Sequence, residues 1–324
     1  MASKVAQSAE SFEGGHFIIA YPHIEASMRA STLASVAFAA SAFALGSAAR
    51  AQPASPAQSP AQTTRNYAGF DANEYPGDDL LPEMRKQFAF TGYWLNNPPG
   101  ADHNPWVGKR DILLRNGFGF LVVANGRLDR EIVKSQKSGK AAATLAREDA
   151  AAAVAAAQRE GFPPHTILFL DQEDGGRMLP EQADYLLAWT EAVAQSVYRP
   201  GVYASGEPVP DGKGPDGRPG TITTIQDIRQ HVAAQHLHLI AVWVYDDACP
   251  PAPGCIVSTA QPPSPDLSGI LNADAWQYAQ SPQRKNITQA CRSTYRDGNC
   301  YAPGIPQFAL DLSVSASPDP SHGR

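Results

Sequence analysis

Between Tyr67 and Val314, short apolar runs alternate with helical patterns, and this alternation restricts the fold more than any other feature. Eight runs read as strands: 67–72 (YAGFDA), 90–95 (FTGYWL), 118–125 (FGFLVVAN), 166–173 (TILFLDQE), 199–205 (RPGVYAS), 238–246 (HLIAVWVYD), 274–280 (DAWQYAQ) and 308–314 (FALDLSV). Helical patterns at 80–87, 107–116, 144–160, 179–198 and 223–236 separate the first six. Alternating strands and helices pair in parallel through right-handed crossovers, and eight strands close most economically into a barrel. The stretches 247–273 and 281–307 are rich in Pro, Ser and Gly and carry no helical pattern. The predicted fold is therefore α/β, an irregular TIM-like barrel of about five βα units followed by three β-strands.

A chain of 324 residues, 43% hydrophobic and 18% charged, has room for one such domain, expected over 67–316. The 144–160 helix is the strongest of the five: it is alanine-rich and ends at Gly161. Residues 28–51 read as a secretory signal, with Arg29, an apolar stretch from Thr32 to Leu45, and Ala49-Arg50-Ala51 as an A-x-A cleavage site. The apolar stretch is shorter than the ~20 residues a spanning helix needs, so no stable membrane anchor is expected. Residues 1–27 carry Glu10, Glu13 and Glu25, which do not suit the flank of a signal, and read as a non-native upstream extension. Residues 52–66 read as a disordered linker and 317–324 as a disordered tail. The protein is expected to be secreted or periplasmic and monomeric. Net charge is -6 with no basic stripe, which argues against a nucleic-acid partner.

The four cysteines, Cys249, Cys255, Cys291 and Cys300, fall late in the chain. In an exported protein an even count favours disulfides; three connectivities exist, and the local pairs Cys249–Cys255 and Cys291–Cys300 are expected. Zinc is the rival reading, but neither spacing is that of structural zinc sites and no histidine lies nearby in sequence.

The fourth strand stops on Asp171-Gln172-Glu173. Side chains alternate across a strand, so Phe169, Asp171 and Glu173 share a face, with the two carboxylates roughly 6 to 7 Å apart along the chain. The first strand ends on an acid at Asp71 and the eighth reads as doing the same at Asp311, which makes four carboxylates at three strand ends. In a closed barrel strands 1 and 8 are neighbours, which sets Asp71 beside Asp311 and across from Asp171. Crowded carboxylates in a partly dry pocket raise the pKa of at least one, the requirement for a general acid near neutral pH, and paired carboxylates in an aromatic-lined cleft are the machinery of glycoside hydrolysis. Tyr203, Trp243, Tyr245, Trp276 and Tyr278, with Tyr93 or Trp94, are candidates for a sugar-stacking wall, although each taken singly also suits a core. Asn125 either orients a sugar hydroxyl or starts a turn. His231, His236 and His238 read as surface or capping groups, and Asn286-Ile-Thr288 as an isolated glycosylation sequon. Polar insertions at 96–106 and 206–220 read as lids, substrate walls or plain surface loops.

The ordered set Gly69-Phe70-Asp71, Asp171-Gln172-Glu173, Gly201-Val-Tyr-Ala-Ser205, Trp243, Trp276-Gln277-Tyr278 and Leu310-Asp311-Leu312 resembles the glycoside hydrolase family 25 lysozymes and, more closely, the related glycoside-hydrolase-like family called domain of unknown function 1906. The resemblance implies a barrel that cuts between N-acetylmuramic acid and N-acetylglucosamine, with Glu173 as general acid and Asp171, Asp71 and Asp311 as supporting acids. A polysaccharide substrate, peptidoglycan above all, follows from it, with no cofactor and no metal. Two other functions stay open on the residues alone: a non-catalytic cell-envelope glycan binder on the same barrel, and a hydrolase that uses the acid cluster as calcium or magnesium ligands.

Overall fold

The computed structural model describes residues 65–213, 217–246, 260–279 and 310–324. The expected signal, nearly all of the linker, the four cysteines and Asn286 lie outside the described residues.

In chain order the elements are β1 (Tyr67–Asp71), α1 (Leu81–Met84), β2 (Phe90–Trp94), α2 (Arg110–Arg115), β3 (Gly119–Asn125), α3 (Asp129–Lys137), α4 (Ala142–Arg159), β4 (Ile167–Gln172), α5 (Pro180–Ala194), β5 (Arg199–Ser205), the hairpin β6 (Val209–Lys213) and β7 (Pro219–Ile222), α6 (Thr224–Gln235), β8 (Ala241–Tyr245), β9 (Ala275–Ala279) and β10 (Asp311–Ser315). Eight strands close into a barrel in the order β1-β10-β9-β8-β5-β4-β3-β2. All neighbours pair in parallel except β10, which runs antiparallel to both β9 and β1. The expected irregular barrel is thus present, and its irregularity is one reversed strand.

Inward positions are filled by rings packed against glycines. A methyl on Gly69 would sit 2.0 Å from the Phe90 ring, and one on Gly92 would sit 2.5 Å from Asp71 Cβ. Phe169, Trp243 and Tyr203 continue this interior, with ring centroids 6.0 Å apart for the first pair and 4.5 Å for the second. Outside, Ala142, Ala146, Ala150, Ala153 and Ala157 form the buried stripe of α4, spaced three or four residues apart as one helical face requires. Gly161, at φ 79°, follows the helix as its glycine stop. On α6, the Thr223 hydroxyl accepts from the Gln226 N–H at 3.0 Å and the Gln226 side chain accepts from the Thr223 N–H at 3.0 Å, a reciprocal cap.

Two elements were absent from the sequence expectation. Helix α3 buries only Ile132 completely, so it offers no apolar period to read. The 206–220 insertion contains the β6–β7 hairpin, which Pro210, Gly212 and Pro219 disguise as loop. The expected disordered tail at 317–324 is instead packed on the amino-terminal end of the barrel. Asp319 Oδ1 accepts from the Phe120 N–H at 2.9 Å, Ser321 Oγ from the Val122 N–H at 2.8 Å, and the Ser321 carbonyl from the Ile167 N–H at 2.8 Å. Arg110 donates to the Gly323 carbonyl at 2.8 Å. Polarity and proline made this segment look unstructured; it is ordered because it satisfies backbone groups where β3 and β4 begin.

No helix among the described residues is long and apolar enough to cross a membrane.

Candidate active site at the carboxyl-end mouth

Strand direction decides which acids meet. Asp71 is the last residue of β1, while Asp311 is the first of β10, and the two are direct register partners. Asp311 therefore reaches the mouth because its strand starts there, not because it ends there. One strand row runs Asn125, Asp171, Tyr203, Trp243 around the barrel by register. Tyr245 and Gln277 pair one step nearer the rim.

Asp71 and Asp171 are 7% and 6% exposed, Asp311 is half-buried, and Glu173, just past the end of β4, is exposed. Burial raises the Asp71 carboxyl well above its ordinary range, with further elevation from Asp311, an opposing hydrogen bond from Gln277, and smaller elevation from Asp171 and Glu173. Asp171 is raised the same way, by burial first and Glu173 second. Tyr203 is raised by burial and then by all four carboxylates, which places the four around one space. Asp171 Oδ1 is buried without a partner among the described residues. Burial raises Asp71 and Asp171, and Glu173 stands exposed beside them.

Gln277 ties the two sides together. It accepts from the Tyr203 hydroxyl at 2.8 Å and its amide nitrogen is 3.3 Å from Asp71 Oδ1. Because side chains alternate, Trp276 and Tyr278 fall on the opposite face. Their rings pack on each other at 5.8 Å, and the Trp276 indole donates to the Asp246 carbonyl at 2.9 Å. The expectation that these two stack sugars is corrected: Gln277 is the inward residue of that motif, and period-2 alternation from Tyr245 was the signal available. Tyr203, Trp243 and Tyr245 do share the interior. Tyr203 and Tyr245 have centroids 5.3 Å apart, the Trp243 indole donates to Ser313 Oγ at 3.1 Å, and the Tyr245 hydroxyl donates to the Glu173 carbonyl. On β2, Tyr93 points outward to Phe162 and donates to Glu160, whereas the Trp94 indole donates to the Ala72 carbonyl at 3.1 Å. Asn125 takes the turn reading: its amide donates to the Asn97 carbonyl at 3.0 Å and its N–H to Asn96 Oδ1 at 2.7 Å.

The loop carrying Glu173 is anchored beyond it. Asp174 Oδ2 accepts from Gln182 at 2.5 Å, the Asp174 carbonyl accepts from Thr224 at 3.1 Å, and Arg177 bridges Asp211 of the hairpin to Asp227 of α6. His236 ends α6 in a left-handed conformation, as a capping residue. His238 pairs with Glu191 at 2.8 Å, and His231 lies 3.8 Å from Asp227 one helical turn away. Among the described residues no group of three or more His, Cys, Asp and Glu side chains is arranged to hold a metal ion.

The family of Rv2525c-like, glycoside hydrolase-like domains matches residues 96–294, a span that contains Asp171, Glu173, Tyr203, Trp243 and Gln277. No curated protein matches the chain. Among solved structures, it is similar to an uncharacterized B. stearothermophilus protein, with 20% identity over 77% of this chain and 95% of that one and a TM-score of 0.45. It is also similar to the Mycobacterium tuberculosis Tat-secreted protein Rv2525c in complex with L-tartrate, with 12% identity over 76% and 93% and a TM-score of 0.42. The catalytic domain of endolysin ply40 from bacteriophage P40 of Listeria monocytogenes is 14% identical over 78% and 94%, with a TM-score of 0.39.

Proposed function

Because the chain belongs to the family of Rv2525c-like, glycoside hydrolase-like domains, we propose that its mouth hydrolyses a glycosidic bond in a cell-envelope polysaccharide, peptidoglycan being the substrate of choice. The observation that carries this reading is the contrast between two adjacent acids: Asp171, buried with an unpartnered oxygen, and Glu173, exposed beside it. In the proposed reaction Glu173 gives its proton to the leaving glycosidic oxygen as the bond to the anomeric carbon breaks. Positive charge grows on the sugar ring, and the carboxyl oxygens of Asp171 and Asp71 stabilise it. Water then adds to the anomeric carbon and returns a proton to Glu173, so the enzyme is restored. Tyr203, Trp243 and Tyr245 form the aromatic side of the cleft, and Asp311 sets the charge beside Asp71.

The exposed position of Glu173 favours a second reading, a glycan binder without turnover. Export, with removal of residues up to Ala51, and disulfides Cys249–Cys255 and Cys291–Cys300 belong to the same proposal and rest on the sequence.

The deciding experiment incubates the mature protein with purified peptidoglycan and weighs the released fragments by mass spectrometry. Wild type should release fragments with new reducing ends, and Glu173→Gln should do so about 10²- to 10⁴-fold more slowly while still binding the polymer. Equal rates for the two would remove Glu173 from the chemistry; binding with no cleavage by wild type would establish the second reading.

A further inference from the structure

A groove of about 450 Å³ lies on the barrel flank between α4 and the loops that follow β2 and β3. It adjoins the mouth, because Asn125 on its wall is the register partner of Asp171 and Gly126 packs directly against the Asp171 carbonyl oxygen. Its long side is the α4 stripe Ala152, Ala153, Ala156 and Arg159, which recurs at helical spacing and runs roughly 10 Å. The acids on its walls are already engaged. Asp149 accepts both arms of Arg127 at 2.8 Å and the Tyr185 hydroxyl at 2.8 Å, and Glu131 accepts from the Leu128 N–H at 2.9 Å. Arg159 is exposed and has no ion pair among the described residues. Trp189 also lines the groove and is 1% exposed.

This chemistry does not suit a sugar ring. No aromatic face is presented for stacking, since Trp189 is all but buried. An alanine floor accepts small side chains, the Asn97 amide on the facing wall matches a peptide N–H or C=O group, and a guanidinium without an acid matches a carboxylate. We propose that the groove binds a short acidic peptide with small side chains, the stem that branches from peptidoglycan, while the adjoining mouth holds the glycan. The proposal rests on the peptidoglycan reading of the mouth and adds the part of the polymer that would select the cutting site.

The test uses the Glu173→Gln chain, so that nothing is cleaved, and titrates three probes by calorimetry: a glycan fragment bearing its stem peptide, the same glycan stripped of peptide, and the free stem peptide. Arg159→Ala should weaken the peptide-bearing fragment and the free peptide about tenfold, the loss of one charge-assisted hydrogen bond, and leave the bare glycan unchanged. Ala152→Phe, on the exposed edge of the stripe, should fill the groove and act the same way with an unaltered melting temperature. Wild-type affinity for the peptide-bearing fragment in both variants overturns the proposal, as does equal weakening of the bare glycan. If the parent protein cleaves no glycan yet Arg159→Ala still loses the free peptide, the groove stands and only the reading of the mouth fails.

Discussion

The Gln277 amide nitrogen lies 3.3 Å from Asp71 Oδ1, and this contact opposes the burial and the Asp311 charge that push the Asp71 carboxyl upward. Replacing Gln277 by Leu removes the opposition and leaves the buried Tyr203 hydroxyl without its acceptor, a loss of about 1 to 3 kcal/mol in stability. Asp71 should then hold its proton to higher pH than in wild type. Carbon-13 titration of labelled aspartate carboxyls reads this directly, and an unmoved Asp71 transition would show that Gln277 does not set it.

Asp71 and Asp171 also predict how stability follows pH. Both have folded-state pKa values raised above the unfolded range, so the folded protein binds more protons between the two values. Their contribution is fully present below the unfolded aspartate pKa of about 3.9 and is lost as pH rises through the folded values. Asp171→Asn abolishes that loss for one group and should stabilise the protein by roughly 1 to 3 kcal/mol at pH 7 while lowering turnover, a trade seen where active sites bury charge. Denaturant melts of wild type and variant at pH 4 and pH 7 should differ most at pH 7. A gap that is larger at pH 4 would contradict the assignment.

Much of this site was legible from alternation alone. Asp71, Asp171 and Tyr203 needed only the period-2 rule and barrel closure to be placed on one mouth. Trp276 and Tyr278 were misplaced because two aromatics flanking a glutamine look like the functional pair, when register from Tyr245 puts the glutamine inside. Nothing local marks β10 as antiparallel: Leu312 and Val314 are buried on one face whichever way the strand runs, and its direction is set by pairing with β1 and β9. The Arg177 bridge joins residues 34 and 50 positions apart, a relation that no sequence window contains.

The packed carboxyl terminus makes a separate prediction. Ser321 is fully buried, and its hydroxyl is the acceptor for the Val122 N–H. Ser321→Ala leaves that N–H unpaired in the interior at a cost of about 1 to 3 kcal/mol. Deleting 317–324 removes the acceptors of Phe120, Val122, Ile167 and Arg110 together and should lower the denaturation midpoint much further than Ser321→Ala. A deletion with the wild-type midpoint would mean that the tail only decorates the barrel.

Beyond its anchors at Asp174, the loop after Glu173 is held by one guanidinium that serves two elements. Arg177 donates to Asp211 at 2.7 and 2.8 Å and to Asp227 at 2.9 Å, while Asp227 Oδ2 also accepts from the Met178 N–H at 2.9 Å. The two carboxylates are not equivalent. Asp211 is on the hairpin with a side chain 28% exposed, where water and salt screen the pair, whereas the Asp227 side chain is 3% exposed and holds both the guanidinium and the backbone. Asp227→Ala should therefore free the segment from Glu173 to Leu179, and Asp211→Ala should change little. Because a small displacement of a positioned acid is costly to turnover, Asp227→Ala is expected to reduce kcat on peptidoglycan about ten- to hundredfold with a smaller change in KM. Hydrogen exchange separates positioning from general damage: amides of 173–179 should exchange faster in Asp227→Ala, while those of β3 and β4 keep wild-type protection. Exchange that rises across the barrel would mean that Asp227 supports the fold, and unchanged loop exchange with unchanged kcat would remove it from the site altogether.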